Sequence, residues 1–331
     1  MTDPSRIPQG AAAPCHDVSP GEVSVIMVSY RTGPVLALAV DAVLAPDQEG
    51  VNELILVDNG NPPTVTAALV RRMATEPRLR LISGHGNVGY ARGCNLGARE
   101  ARGRYLLLLN PDCCLGPGAI PALLAEAAAL GDEWMLGCRV RNPDGTDQRG
   151  SRRALLTPVT ALVEAFRLDR LSPTPFQRHR LSQHETALPE GTARVPAISG
   201  ACMMLPATTY RAAGGLDEGY FLHVEDLDLC LRLHRAGVPT YFAPHVEAVH
   251  HASTSRTHPL VIEWHKTCGF LRYFGLHYGR LRWLPVLVPL AAAILSRLGL
   301  RAMLTICRPA GWRAESCRPP HLFRQAPRIG A

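Results

Sequence analysis

Glu53-Leu-Ile-Leu-Val57-Asp58-Asn59-Gly60 is a short apolar run that ends on an acid followed by turn-forming residues. Too short for a helix and rich in branched side chains, it reads as a buried strand closed by a turn. Upstream, Val23-Ser-Val-Ile-Met-Val-Ser29 has the same character and is broken by Gly33-Pro34. Between them, Val35–Leu44 carries helical spacing. Downstream come a helix near 64–75, a strand at 79–82, a glycine-rich segment (84–97) leading into a helix, and the strand Tyr105-Leu-Leu-Leu-Leu109. Strands alternating with helices predict an α/β chain of parallel βαβ units with helices on both faces of the sheet. Ligands of such sheets bind beyond the carboxyl ends of the strands. Asp58, the glycines from Gly84 and Asp112 all fall at that edge, which argues for a site there.

Over 144–194 the pattern weakens into Arg, Pro and polar residues, read as a mobile insertion with one short helix near 159–167. A strand at 198–205, a helical turn at 210–214 and an acidic helix over 224–236, stopped by Gly237, follow. One more strand at 240–243 precedes the run 245–251, and beyond Pro259 the chain reads as helical. Residues 1–20, rich in Pro, Gly, Ala and Ser, are predicted to be disordered. The expected organisation is a segment 1–20, a main domain over 21–258 and a helical, basic extension over 259–331. Within that extension, 284–295 is strongly apolar but falls short of the roughly 20 residues a spanning helix needs. An interfacial or packed helix is expected there.

A chain of 331 residues, 47% hydrophobic and 19% charged, can bury a sizeable core. Its ten cysteines form no CxxC pair, which removes zinc-knuckle and thioredoxin-type readings. With no signal peptide read at the N-terminus, reduced thiols in the cytoplasm are expected. The net charge of +7 invites a nucleic-acid partner. That class is set aside, because the excess sits late, at Arg301, Arg308, Arg313, Arg318, Arg324 and Arg328, and aromatics are only 6%. A basic tail of this kind contacts anionic head groups at a membrane surface or is simply solvated.

The chemistry concentrates in Phe221-Leu-His-Val-Glu225-Asp226-Leu-Asp228-Leu-Cys-Leu-Arg232, three acids in an otherwise apolar helical run. Buried charges need a partner or a task. Asp228 and Arg232, four apart, can pair along one face. Glu225 and Asp226, side by side, can raise one another's pKa as a general base requires, or form a solvated helix start. Asn110-Pro111-Asp112 ends the strongest strand and offers a carboxylate to Mg2+ or Mn2+, or else a turn. Asp58 is a turn residue or a nucleotide contact. His250 can complete a metal shell or rest as a satisfied residue. Cys113, Cys114 and Cys202 read as packing residues. Gly84-His-Gly-Asn-Val-Gly89 matches the spacing of a dinucleotide fingerprint, but after the third strand rather than the first. The continuation Tyr90-Ala-Arg-Gly-Cys-Asn95 also argues against tight helix packing.

In order along the chain, several blocks resemble the family 2 glycosyltransferases of GT-A fold, especially their rhamnosyltransferase-like branch. They are Val25-Ile-Met-Val-Ser-Tyr30, Glu53 to Gly60, Gly86-Asn-Val-Gly-Tyr-Ala-Arg-Gly-Cys-Asn95, Leu107-Leu-Leu-Asn-Pro-Asp112, Ser199-Gly-Ala-Cys-Met-Met-Leu205 and Gly214-Gly-Leu-Asp-Glu-Gly-Tyr-Phe221, with the acidic block and Val249-His-His251. The resemblance implies a mixed, mainly parallel Rossmann-like sheet and a nucleotide-diphospho-sugar donor. It implies that Ser29, Asp58, Asn59, Asn87, Gly89, Arg92, Asn95, Asn110 and Gly200 line the donor site. On the same footing Asp112 and His250 hold Mg2+ or Mn2+, and Asp226, with Glu225 beside it, is the catalytic base. Asn110 departs from a full D-x-D motif by putting an amide in place of its first acid.

The expected activity is inverting transfer of a sugar, with dTDP-rhamnose favoured as donor, to an acceptor hydroxyl in cell-surface glycan or glycolipid assembly. A UDP-sugar-dependent galactofuranosyl or hexosyl transferase is the nearest alternative. A nicotinamide-dependent oxidoreductase gives the acid pair no role, and a non-catalytic carbohydrate- or lipid-binding relic predicts no turnover. The apolar, basic C-terminal region leans towards a lipid-linked acceptor and peripheral contact with the inner face of the membrane.

Overall fold

The computed structural model describes residues 22–166, 181–183, 186–252, 254–255 and 257–306. The expectations for 1–20, for 307–331 with its five arginines, and for part of 144–194 concern residues outside that set. The chain runs through β1 (Val23–Ser29), α1 (Val35–Leu44), β2 (Val51–Asp58), α2 (Pro63–Met73), β3 (Leu79–Ile82), α3 (Tyr90–Glu100) and β4 (Tyr105–Leu109). It continues through β5 (Cys113–Leu115), α4 (Ala119–Ala127), β6 (Met135–Arg141), β7 (Arg152–Arg153), α5 (Pro158–Phe166), β8 (Ala193–Arg194), β9 (Ala197–Ile198) and β10 (Cys202–Pro206). Then follow α6 (Ala207–Ala212), the acidic helix α7 (Glu225–Arg235), β11 (Thr240–His250), α8 (Pro259–Tyr278) and α9 (Leu284–Ile306).

The main sheet has the order β3-β2-β1-β4-β10-β6-β11-β5, with β8 also on β11. β1, β2, β3 and β4 are parallel, β10 runs antiparallel between β4 and β6, and β6 and β11 are again parallel. The sheet is therefore mixed and mainly parallel. β1 is buried along its whole length, as a strand covered on both faces must be. Val25 and Met27 belong to the core under α1, α2 and α4, and Ile26 and Val28 to the core under α3, α6 and α7.

Several local expectations change. A packed helix does start at Tyr90, and its glycines are the reason it packs. A Cβ at residue 93 would stand 2.7 Å from Val28 Cγ1, and one at 97 would stand 2.6 Å from Ile26 Cγ2. The expected strand at 198–205 is broken into β9 and β10, because Gly200 turns its N–H away from the ladder to a side chain. The pieces 240–243 and 245–251 join into the single strand β11, whose register shifts between Ala243 and Glu247, around Pro244. β5, α4 and β6 went unread: β5 is only three residues long, and the apolar residues of α4 and β6 are interrupted by Pro, Gly and charges.

The described part of 144–194 is tied into the fold. β7 pairs with β9, β8 pairs with β11, and the Arg152 guanidinium donates to the Gln183, Thr186 and Ala187 carbonyls. The C-terminal helices pack against the outside of α7, where Tyr220, Val224, Leu227 and Leu231 meet Tyr273, Phe274, Tyr278 and Leu290. The apolar segment is longer than expected. Helix α9 passes through Pro289 and Arg297 without a break, and residues 281–305 have a mean hydropathy of 1.7 with only 6% of the apolar window buried. It is long and apolar enough to cross a membrane, and most of it is not packed against the body.

Candidate active site

The parallel register sets Ser29 beside Asp58 at the carboxyl edge. The Asp58 carboxylate closes the turn that follows it. Its Oδ1 accepts from the backbone N–H of Gly60 and Asn61 (2.9 and 2.7 Å) and from Asn61 Nδ2 (3.0 Å), and its Oδ2 accepts from Thr66 Oγ1 (2.6 Å). Burial alone would raise its pKa, but these donors together hold it below the ordinary carboxylate value. The turn reading of Asp58 is thus realised, and Asn61 is what connects it to Ser29, with Nδ2 3.0 Å from Ser29 Oγ. Asn59 donates from Nδ2 to the Gly89 carbonyl (2.9 Å), while its buried Oδ1 has no partner among the described residues.

At the end of β4, the Asn110 backbone N–H donates to the Ala201 carbonyl, and its Nδ2 lies 3.2 Å from His250 Nε2. Asp112 is buried. Its Oδ1 is 3.0 Å from His250 Nε2, and its Oδ2 accepts from Thr254 Oγ1 at 2.9 Å. Burial opposes its charge, yet the imidazole and the hydroxyl outweigh it and lower the pKa. Gln148 orients the ring. Its Nε2 donates to Asn142 Oδ1 and the His250 carbonyl, so its Oε1 faces His250 Nδ1 at 2.7 Å. The Nδ1 proton is thereby fixed on Gln148, and Nε2 and a carboxylate oxygen face one another. Two lone pairs at that distance call for a proton or a cation between them.

A divalent ion fits this donor set. A carboxylate oxygen and an imidazole nitrogen are both donors that Mg2+ or Mn2+ would accept. Among the described residues no third His, Cys, Asp or Glu joins them.

The acid pair divides. Glu225 is buried, its Oε2 lacks a partner among the described residues, and its neighbours include Tyr90 and Cys94. Burial, and then the charge of Asp226, push its pKa up to about 8. The mutual effect expected of a general base therefore falls on the buried member, Glu225. Asp226 is partly exposed, at 14% of its side chain, and accepts from the Gly200 N–H (3.0 Å) with Arg153 Nη1 at 3.3 Å. Asp228 pairs with Arg232 at 2.7 Å as expected and also meets His277 Nε2 at 2.6 Å, joining α7 to α8.

Strain sits just before the pair. His223 and Val224 have φ of 69° and 77°, a left-handed region that a β-branched residue avoids. Gly269 of α8 packs on this turn, where a Cβ would lie 3.1 Å from the His223 carbonyl oxygen and the Val224 side chain.

The glycine loop does open a helix. Asn87 Oδ1 accepts from the Gly89 N–H, and a Cβ on Gly89 would fall 2.6 Å from the Phe221 carbonyl oxygen. Asn95 is used up internally. Its Nδ2 donates to the Leu216 carbonyl and Glu218, and its Oδ1 accepts from Tyr210 Oη and the Leu216 N–H, so no capacity is left for a ligand. Arg92 lies exposed beside Glu218 at 3.7 Å.

A continuous path joins the two acidic centres: Asp226 to Gly200, Ala201 to Asn110, Asn110 to His250, and His250 to Asp112. Arg153, Gln148 and Thr254 were missed from the sequence. Each lies far along the chain from the acid it serves, and no local spacing marks it.

Residues 24–191 match the sequence model of the family Glycosyl transferase family 2. The N-acetylglucosaminyl-diphospho-decaprenol L-rhamnosyltransferase of Mycobacterium tuberculosis is 28% identical over 298 residues, covering 85% of this chain and 92% of the relative. Among solved structures, the mannosyltransferase PcManGT from Pyrobaculum calidifontis, in complex with GDP-Man and Mn2+, aligns over 91% of this chain and 86% of that one, with TM-score 0.51 and 16% identity. GalNAc-T7 with UDP, GalNAc and Mn2+ aligns with TM-score 0.55 and 15% identity over 78% of this chain, which spans 48% of that chain.

Proposed function

Because this chain belongs to glycosyl transferase family 2, we propose that its carboxyl-edge cleft transfers a sugar from a nucleotide-diphospho-sugar to an acceptor hydroxyl in glycan assembly. The donor is dTDP-rhamnose and the acceptor a sugar on a diphospho-polyprenol, a choice supported by the rhamnosyltransferase that this chain matches over most of both lengths. The observation that carries the reading is the run of hydrogen bonds, continued through the consecutive residues Gly200 and Ala201, that links Asp226 to the Asp112–His250 pair.

Asp226 is the base. Its carboxylate takes the proton of the acceptor hydroxyl as that oxygen bonds to the anomeric carbon from the face opposite the leaving group. The bond to the diphosphate breaks, its electron pair leaves with the nucleoside diphosphate, and the anomeric configuration inverts. Gly200 N–H and Arg153 hold the carboxylate in position. Glu225, protonated in the interior, presents no second charge. Ser29, Asp58 and Asn59 form the nucleotide end, with the free Asn59 Oδ1 available to a base or ribose donor. Asn87, Gly89, Arg92, Asn110 and Gly200 shape the rim, and Asn95 positions the 214–218 loop. Asp112 and His250 would hold Mg2+ or Mn2+, whose charge stabilises the departing diphosphate.

The main domain over 21–258 carries this chemistry, and the C-terminal helices bring it to a membrane. Residues 279–306 hold Arg280, Arg282, Arg297 and Arg301 and no acid, and Leu284, Val288, Leu295, Leu300 and Met303 are exposed. That combination suits an anionic lipid surface at the cytoplasmic face of a membrane. The test is incubation with dTDP-rhamnose or UDP-sugars, Mn2+ and an N-acetylglucosaminyl-diphospho-lipid, with the product read by mass spectrometry. Rhamnose added to the lipid is the expected result, and no transfer from any donor overturns it.

A further inference from the structure

Helix α8 carries Gly269 and Gly275 in its interior. Glycine weakens a helix relative to alanine, so each position asks for a reason. A Cβ at residue 275 would meet nothing within 4 Å, and close packing supplies no reason there. Gly269 is different. It is buried, and a Cβ on it would stand 3.1 Å from both the His223 carbonyl oxygen and Val224 Cγ2. The bare backbone of α8 is what lets the helix lie against this turn.

The same turn launches Asp226. His223 and Val224 are both left-handed, and Val224, a β-branched residue, is the last before α7. A conformation of this kind persists only where its surroundings over-determine it. Here they do. The Phe221 carbonyl oxygen accepts from the Tyr90 N–H at 2.8 Å, and the Phe221 ring stacks on His265 of α8 with centroids 4.3 Å apart. Arg272 of α8 grips Asp217, with Nε to Oδ2 at 3.0 Å and Nη2 to Oδ1 at 2.9 Å. His277 of α8 meets Asp228 at 2.6 Å. These contacts at 217, 221 and 228 seat α8 along the segment, and Gly269 meets its middle. Rotation of the backbone at Val224 would swing the first turn of α7, and Asp226 with it, away from the Gly200 N–H.

We propose that Gly269 is a positioning residue for the base: by letting α8 close on His223 and Val224, it holds the left-handed pair that aims Asp226. The proposal rests on the reading of Asp226 as the base. Gly269 touches neither the carboxylate nor the cleft, and acts through the backbone of the turn.

Amide hydrogen exchange at Gly200 reads the carboxylate without turnover, because that N–H is bonded to Asp226 Oδ2. Gly269→Ala should speed exchange at Gly200 at least about fivefold, while the amides of β1 keep their protection. In the transfer assay the same variant should lower kcat at least about tenfold with donor KM unchanged. Gly275→Ala makes the same gain in helix propensity without the contact, and should match wild type in both readouts. In a Val224→Ala background, where the opposing methyl is gone, Gly269→Ala should cost less than about half as much. That pair also supplies a folded comparison if the single variant unfolds. Unchanged exchange at Gly200 in Gly269→Ala overturns the proposal, whatever happens to Tm, since that is the mark of a merely structural glycine. So does an unchanged kcat, or an equal loss in the two backgrounds. If wild type transfers no sugar, the functional reading fails by itself, and exchange at Gly200 still decides whether Gly269 holds Asp226.

Discussion

The backbone N–H of Gly200 donates to Oδ2 of Asp226 at 3.0 Å, and a Cβ on residue 200 would stand 2.8 Å from the Cβ of that aspartate. Such a contact cannot be accommodated without moving the carboxylate. Gly200→Ala should therefore lower kcat by about 10²-fold, the penalty for a shift near 1 Å, with donor KM little changed. Steady-state kinetics and a melting curve test this, and a normal kcat in a folded variant would rule out the positioning role.

Asp226→Asn removes the proton acceptor and keeps the shape. Transfer should fall by about 10²–10⁴-fold, the usual worth of general-base help. Nucleotide binding, followed by calorimetry with dTDP, should persist. Near-normal turnover would reassign the base.

His250 and Gln148 give a graded test of cation binding. His250→Ala should abolish Mn2+ binding in the presence of dTDP, whereas Gln148→Ala, which only frees the ring, should cost about 10–100-fold in Mn2+ affinity. Titration followed by the Mn2+ electron paramagnetic resonance signal reads both. An unchanged Mn2+ affinity in His250→Ala would move the ion elsewhere.

Glu225 predicts a pH dependence of stability. In the fold it keeps its proton up to about pH 8, against 4.5 for an ordinary glutamate. Across that window the folded state binds more protons than the unfolded chain, so stability falls as pH rises and the loss is complete above pH 8. Glu225→Gln should remove the slope and, at pH 8, melt about 2–4 °C above wild type for each kcal/mol relieved. Tm against pH from 5 to 9 for both proteins is the measurement, and parallel curves would refute the assignment.

The exposed face of α9 should govern lipid binding. Val288 and Leu295 are 64% and 50% exposed, so Val288→Glu with Leu295→Glu should leave folding intact. Sedimentation with vesicles containing phosphatidylglycerol should drop by at least about fivefold for that variant, and wild-type binding should weaken in salt as the arginine contribution is screened. Equal sedimentation of the two proteins would show that the membrane is held by other residues.

The core strands were legible in the sequence because burial on both faces demands unbroken apolar runs, and Val23–Ser29 and Tyr105–Leu109 have them. The positions of Asp58 and Asp112 were legible for a related reason: acids that end apolar runs sit where strands stop, and Asp58 closes β2 while Asp112 follows β4. What each acid does was decided by residues distant in sequence. Asp112 acquires His250 and Thr254 only when β11 returns beside β5. Asp226 acquires Gly200 and Arg153 from a stretch with no periodicity, and Asn95 turned out to brace a loop. Adjacent acids look equivalent in a sequence, yet helix geometry sends Glu225 inward and leaves Asp226 partly exposed. Hydrophobic pattern is a local property and sets the elements and their order, whereas charge and hydrogen bonding depend on which elements meet, and only the folded chain determines that.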